Sequence, residues 1–236
     1  MDFLDPGLRP DTTPVSPAEE LAEKARLEGE LVDLEKELER LAPEAEEERN
    51  RIRLHMARNL AALERGAEAW PLARAAFDHF LAREAWEEAA DACNILYQSD
   101  QPDSLAALGQ GIWLAVTYPI NPEITIEMLQ HVIDDTPKDS DGAAVAAATA
   151  AFIADIRATE QPRRDDLLFF TQQMLGNVAR RHSDVESQEQ FNYWIEKLEL
   201  DQPDKFLVRL RNIVDVLVQD NWWFDRDELQ ARLPEE

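Results

Sequence analysis

The sequence predicts an all-α protein, and three observations carry that expectation. Glycine is scarce, with seven in 236 residues, and most of the thirteen prolines fall at the edges of apolar-periodic segments. Apolar residues recur at three- and four-residue spacing along most of the chain, with no convincing alternating strand pattern. Helix-start signals sit where those segments begin, as at Ser16-Pro17-Ala18-Glu19 and Asn121-Pro122-Glu123. The architecture expected is a helical hairpin followed by an α-helical bundle or short α-solenoid of about seven or eight helices. Residues 1–15 read as a flexible arm, 16–66 as a charged helical hairpin or coiled coil, and 67–236 as the bundle or solenoid.

The arm carries Pro6, Gly7, Pro10 and Pro14. Ser16 then caps a helix with Pro17 at its first position and Glu19 closing a capping box. Leu27, Leu31, Leu34, Leu38 and Leu41 follow in steps of four and three, a heptad-like seam among Glu, Lys and Arg. Pro43 interrupts it. A second helix starts near Glu44, carries Ile52, Met56, Leu60 and Leu63, and ends at Gly66 as its C-cap. Two readings of this region stay open: an antiparallel hairpin, or one kinked helix that forms a homodimer through the leucine seam.

Short amphipathic helices follow. Leu72, Ala76, Phe80 and Leu81 mark one, and Trp86, Ala89, Ala90, Cys93, Leu96 and Tyr97 the next, ending before Pro102. Asp103 or Ser104 opens a helix burying Leu105, Leu108, Ile112, Trp113 and Val116, which Tyr118-Pro119 ends. The Asn121 cap leads to Ile126, Leu129, Val132 and Ile133. A polar loop over 135–142 precedes an alanine-rich helix over 143–156, and Gln161-Pro162 breaks the chain again. Leu167 to Arg181 form the next helix. Ser183-Asp184-Val185-Glu186 reads as a capping box for a helix through Phe191, Trp194, Ile195 and Leu198. Gln202-Pro203-Asp204 opens one more, with Phe206, Leu210, Ile213, Leu217 and Val218. Trp113, Phe169, Phe170 and Trp194 fit a core at helical spacing. Last come Trp222-Trp223-Phe224 and a short helix begun by Asp225-Arg226-Asp227-Glu228.

Charge narrows the function classes. The chain has 49 acids against 24 bases, a net of −25, and residues 1–50 alone hold sixteen acids and six bases. Such a surface repels phosphate, which argues against direct nucleic-acid binding and against anionic membranes. It suits a basic protein partner. A single cysteine, Cys93, allows no internal disulfide and reads as a small core residue. The N-terminus lacks a basic region followed by an apolar run, and no stretch of about 18 apolar residues occurs, so a cytoplasmic location is expected.

One stretch has a family resemblance. Ala85-Trp86-Glu87-Glu88-Ala89, with Leu96 seven residues on and Pro102 near the close, resembles the second helix of a tetratricopeptide repeat. The resemblance covers about one repeat, from roughly Trp70 to Pro102, with no second copy at the period of about 34 residues. It implies helix-pair packing and a concave surface that binds a peptide or partner protein, and it assigns no ligand-contact residue.

Catalytic and metal-site patterns give way to plain structural roles. Asp139-Ser140-Asp141-Gly142 resembles the centre of a calcium loop, but Pro137 and Ala148 stand where ligands are required. Glu127 and His131 share a helix face without the paired Glu-x-x-His of a di-iron bundle. His182, Asp184 and Glu186 fit helix capping, and His55 and His79 have no partner in sequence. No catalytic residue, cofactor or metal ligand is therefore expected. Trp222, Trp223 and Phe224 are the candidate protein-binding residues: three adjacent aromatics do not all face one core from one helix, and exposed tryptophans are frequent interface anchors. Alternatively they staple the C-terminal helix to the core. The function expected is a non-enzymatic adaptor, assembly factor or chaperone-like protein. Two alternatives remain: an acidic mimic of nucleic acid that occupies a DNA-binding protein, and a helical enzyme with a buried polar cluster.

Overall fold

A computed structural model describes residues 16–233; the arm read over residues 1–15 lies outside them. Those residues form α1 (Pro17–Arg40), α2 (Glu46–Ala62), α3 (Gly66–Leu81), α4 (Trp86–Gln98), α5 (Ser104–Thr117), α6 (Pro122–Asp135), α7 (Asp141–Arg157), α8 (Arg163–Ser183), α9 (Gln188–Lys197), α10 (Pro203–Val218) and α11 (Arg226–Gln230). No strand occurs among the described residues. The all-α class and the zigzag of packed helices agree with expectation.

Several starts lie where the caps placed them. The Ser16 hydroxyl accepts from the Glu19 amide and the Glu19 carboxylate accepts from the Ser16 amide. Asn121 accepts from the Glu123 amide to open α6, and Asp225 accepts from Asp227 and Glu228 to open α11. Two starts differ. The capping box before α9 is Ser187 with Gln190, not Ser183 with Glu186. Helix α8 runs on to Ser183, and Asp184 turns the chain at φ 50°. Gly66 is the first residue of α3 rather than the cap of α2. The turn beyond α2 falls to Glu64 at φ 60°, because the glycine is needed elsewhere: a Cβ on Gly66 would collide with the carbonyl of Ser99.

Successive helices pack as antiparallel neighbours, α2 on α3, α3 on α4, α4 on α5, α6 on α7, α7 on α8. The even helices also touch one another along the array, α2 with α4, α4 with α6, α6 with α8. The odd helices do not form extensive pairs of their own, so gaps open between α1 and α3, α3 and α5, and α5 and α7. Helix α10 packs on both α5 and α7 and so fills the last of these gaps. Gly109 permits that approach: a Cβ there would sit 2.6 Å from Val218 Cγ2 and 3.0 Å from Leu217 Cβ. Phe206 of α10 meets Phe152 of α7 edge-on at 5.8 Å.

One contiguous core runs from Leu31 to Leu229. Phe77, Ile95, Ile112, Leu114, Met128 and Leu129 lie at its heart with at most a trace of exposure. Each such side chain contributes roughly 1.5–3 kcal/mol on burial. The alanine-rich face of α7, from Ala143 to Ala150, is almost wholly buried and lets its neighbours approach closely. Helix α2 packs more extensively on α3 than on α1, so the core continues across the boundary read at residue 66. Leu27, Leu31 and Leu34 are buried within the single chain, with Leu38 and Leu41 partly buried behind them. The seam is hairpin core, and a homodimer through it would require α1 to leave α2. Phe169 and Phe170 depart from expectation: they are 48% and 50% exposed. Helix α8 is the last of the row formed by α2, α4, α6 and α8, and among the described residues no further helix extends that row.

Candidate functional site

The C-terminal aromatics occupy the gap between α3 and α5. Helix α10 ends at Val218, Gln219 adopts φ 54°, and residues 221–225 are not helical. That departure from the helix is what lets three adjacent rings face inward on two sides. Trp223 lies edge-on to Phe77 at 5.3 Å and to Trp70 at 6.3 Å, both on α3. Phe224 and Trp222 meet Trp113 of α5 at 5.3 and 6.4 Å. The Arg74 guanidinium lies 4.3 Å over Trp223, and Arg226, paired with Asp215 at 2.7 Å, lies 4.1 Å over Trp222. These cation–π contacts cover the outer ring faces.

The backbone of this segment is held as firmly as its rings. Gln110 of α5 is completely buried; its Oε1 accepts from the Trp223 amide at 2.8 Å and its Nε2 donates to the Asn221 carbonyl at 3.5 Å. Arg232 pairs with Glu84 at the α3–α4 turn. Trp222, Trp223 and Phe224 are thus all half-buried, packed against α3 and α5 on their inner sides. The staple reading describes their placement.

A second arrangement was not visible in the sequence. A polar seam crosses the even helices: Arg58 pairs with Asp91, Asn94 meets the His131 ring at 3.1 Å, and Tyr97 donates to Asp135 at 2.6 Å. Gln98 donates to Glu127 at 2.9 Å, while Glu127 acts on His131 through its charge and forms no hydrogen bond with it. Burial raises the Asp91 carboxyl and the Tyr97 hydroxyl above their usual ranges, the latter helped by Asp135, and lowers the His131 imidazole. These groups are consumed in pairs across helices α2, α4 and α6, which is a pinning pattern rather than a reactive one.

The remaining candidates have structural partners. Ser140 accepts from the Gly142 amide to cap α7, and Asp141 binds Arg209 at 3.0 Å and His182 at 3.2 Å. His182 also receives the Trp194 indole N–H at 3.2 Å, and neither Asp184 nor Glu186 touches it. Burial and nearby Arg83 lower the His79 imidazole. The Cys93 thiol is enclosed, and burial pushes its pKa far up, away from reactivity. Among the described residues no three His, Cys, Asp or Glu side chains gather as a metal site, and no helix is long and apolar enough to cross a membrane.

The gap between α1 and α3 has no occupant from the described chain. It is a cleft of about 370 Å³ floored by Leu31, Met56 and Leu60 and walled by Val32, Pro71 and Leu72. Glu28 and Glu35 stand on its α1 rim. Arg65, on the opposite rim, is held by Glu68 at 2.6 and 2.8 Å. Comparison with known proteins adds nothing to this geometry: no family model, no curated protein and no solved structure matches the chain.

Proposed function

We propose that the chain is a non-enzymatic adaptor, assembly factor or chaperone-like protein that binds a basic protein partner in the cytoplasm. The observation that supports this most is the N-terminal helix. Residues 16–26 are exposed on every turn, so nearly half of α1 takes no part in the packing of its own chain. The helix carries nine acids against four bases over Pro17–Arg40. A long, acidic, unsupported helix attached to a rigid array is suited to steer a cationic surface toward the array. The tetratricopeptide-like stretch from Trp70 to Pro102, which folds as the α3–α4 pair, is consistent with a partner-binding array.

Affinity capture from native lysate at about 0.1 M and then 1 M salt tests the reading. A basic protein retained in stoichiometric amount and released by salt is the expected result, and Glu19→Lys with Glu20→Lys and Glu23→Lys should weaken its capture. Retention that is indifferent to both salt and these changes would sink it. Competition between DNA and the chain for a captured DNA-binding protein would instead identify α1 as an imitation of nucleic acid.

A further inference from the structure

We infer that the cleft between α1 and α3 is a docking groove for a short helical segment of another protein, apolar on one face and flanked by Lys or Arg. The inference rests on the protein-binding reading and gives it a place on the molecule. Its starting point is the row of three gaps between odd helices. The chain closes two of them itself, one with the apolar stripe of α10 and one with the aromatic segment at 222–224. The third has the same kind of floor, Leu31, Met56 and Leu60, and Val32 on its wall is 48% exposed. It is bordered over Glu28 to Glu35, two helical turns, or roughly 10 Å of helix. That length accepts two or three apolar side chains at i, i+3/i+4 and i+7 spacing.

Charge specifies the flanks. Glu28 and Glu35 form no direct ion pair among the described residues; Arg65 opposite is gripped by Glu68 and also feels both of those carboxylates, so three acids stand against one base on the rim. The rim therefore favours cations, and Glu19 and Glu20 extend the same field beyond the groove. The segments that fill the other two gaps carry cations to carboxylates on the older helices: Arg209 of α10 pairs with Asp141 at the start of α7, and Arg232, beyond the aromatic segment, with Glu84 just after α3. A second copy of this chain, at net −25, is a poor occupant by comparison.

The test uses the full chain and a displayed library of random 18-residue peptides. The library is selected on the wild type and counter-selected on Val32→Trp, which fills the groove from an exposed position. The expected enrichment is large apolar residues at helical spacing with Lys or Arg beside them. A synthesised winner should bind the wild type and lose about tenfold or more in affinity on Val32→Trp and on Glu28→Lys with Glu35→Lys. The matched reversal Glu189→Lys with Glu196→Lys on α9 should change it by no more than about twofold. Melting curves confirm that each variant is folded. Equal losses for both charge reversals, with no effect of Val32→Trp, would place binding on the general acidic surface and overturn the groove while leaving the protein-binding reading standing. Enriched peptides without basic residues would overturn the stated chemistry. Tightening of the winner by about tenfold after deletion of residues 1–15 would make that arm the groove's own occupant, and groove-dependent self-association in sedimentation would make it a second copy; either overturns the proposal.

Discussion

The two ends of the odd-helix row are built from similar parts and finished differently. At the C-terminal end, α10 and the aromatic segment close the spaces beside α5, and Gly109, Gln110 and Trp113 are shaped to receive them. At the N-terminal end, α1 leans chiefly on α2 and leaves Leu31, Met56 and Leu60 at the bottom of an open cleft. The same helix-pair arithmetic gives a sealed region and an unsealed one, and the difference lies in whether the chain has a later segment that returns to the gap.

The comparison breaks most easily at a pair of large-to-small substitutions. Phe77→Ala, at a fully enclosed position beneath Trp223 and Phe224, should cost about 3–5 kcal/mol in denaturant unfolding. Leu31→Ala, on the floor of the open cleft, should cost about 2 kcal/mol, because solvent and neighbouring side chains relieve the void. Equal costs would mean that the cleft is as closed as the sealed end. Gln110→Leu keeps the side-chain volume but strands the Trp223 amide, and a loss of about 1–3 kcal/mol is expected. A neutral result would show that the returning segment is held by its rings alone.

Smaller effects sharpen the picture. Glu64→Gly relieves a left-handed residue beside the open end and should raise stability by about 0.5–1 kcal/mol, visible as a rise in Tm of roughly 1–3 °C. The smallest is a pH dependence shared by both ends through the even row. Burial lowers the His131 pKa below the ordinary 6.5, so the unfolded chain binds a proton more readily than the folded one. Stability from this group is complete above pH 6.5 and is lost as pH falls through the lowered value. His131→Gln should flatten the fall in Tm between pH 7 and pH 5, and an unchanged slope would assign that fall to other groups.

Local chemistry made much of this fold legible. Ser16 with Glu19, Asn121 with Pro122, and Asp225 before α11 each state a helix start within four residues, and the structure keeps all three. Gly66 looks like a cap in sequence because its role depends on Ser99, more than thirty residues away, rather than on its own turn. The same distance hides the aromatic placement: Trp223 meets Gln110 across 113 positions, and no window of sequence connects them. Phe169 and Phe170 have core spacing, but their exposure follows from α8 being the last even helix, which is a property of the array. The cleft was invisible for a related reason, since it exists only where no described segment returns to the gap between α1 and α3.

The return of the C-terminal segment to α3, α5 and α7 has a consequence for biosynthesis. The residues that cover those three helices come off the ribosome after the helices themselves, from Pro203 onward. At about 5–20 residues per second, the array emerges with its odd-row gaps wet for some seconds before the covering helix exists. A truncation that removes the final turns, or a bulky fusion at that end, leaves Phe77 and Trp113 facing water in an otherwise assembled molecule. The tail is thus the step that turns a nascent, adhesive array into a finished one.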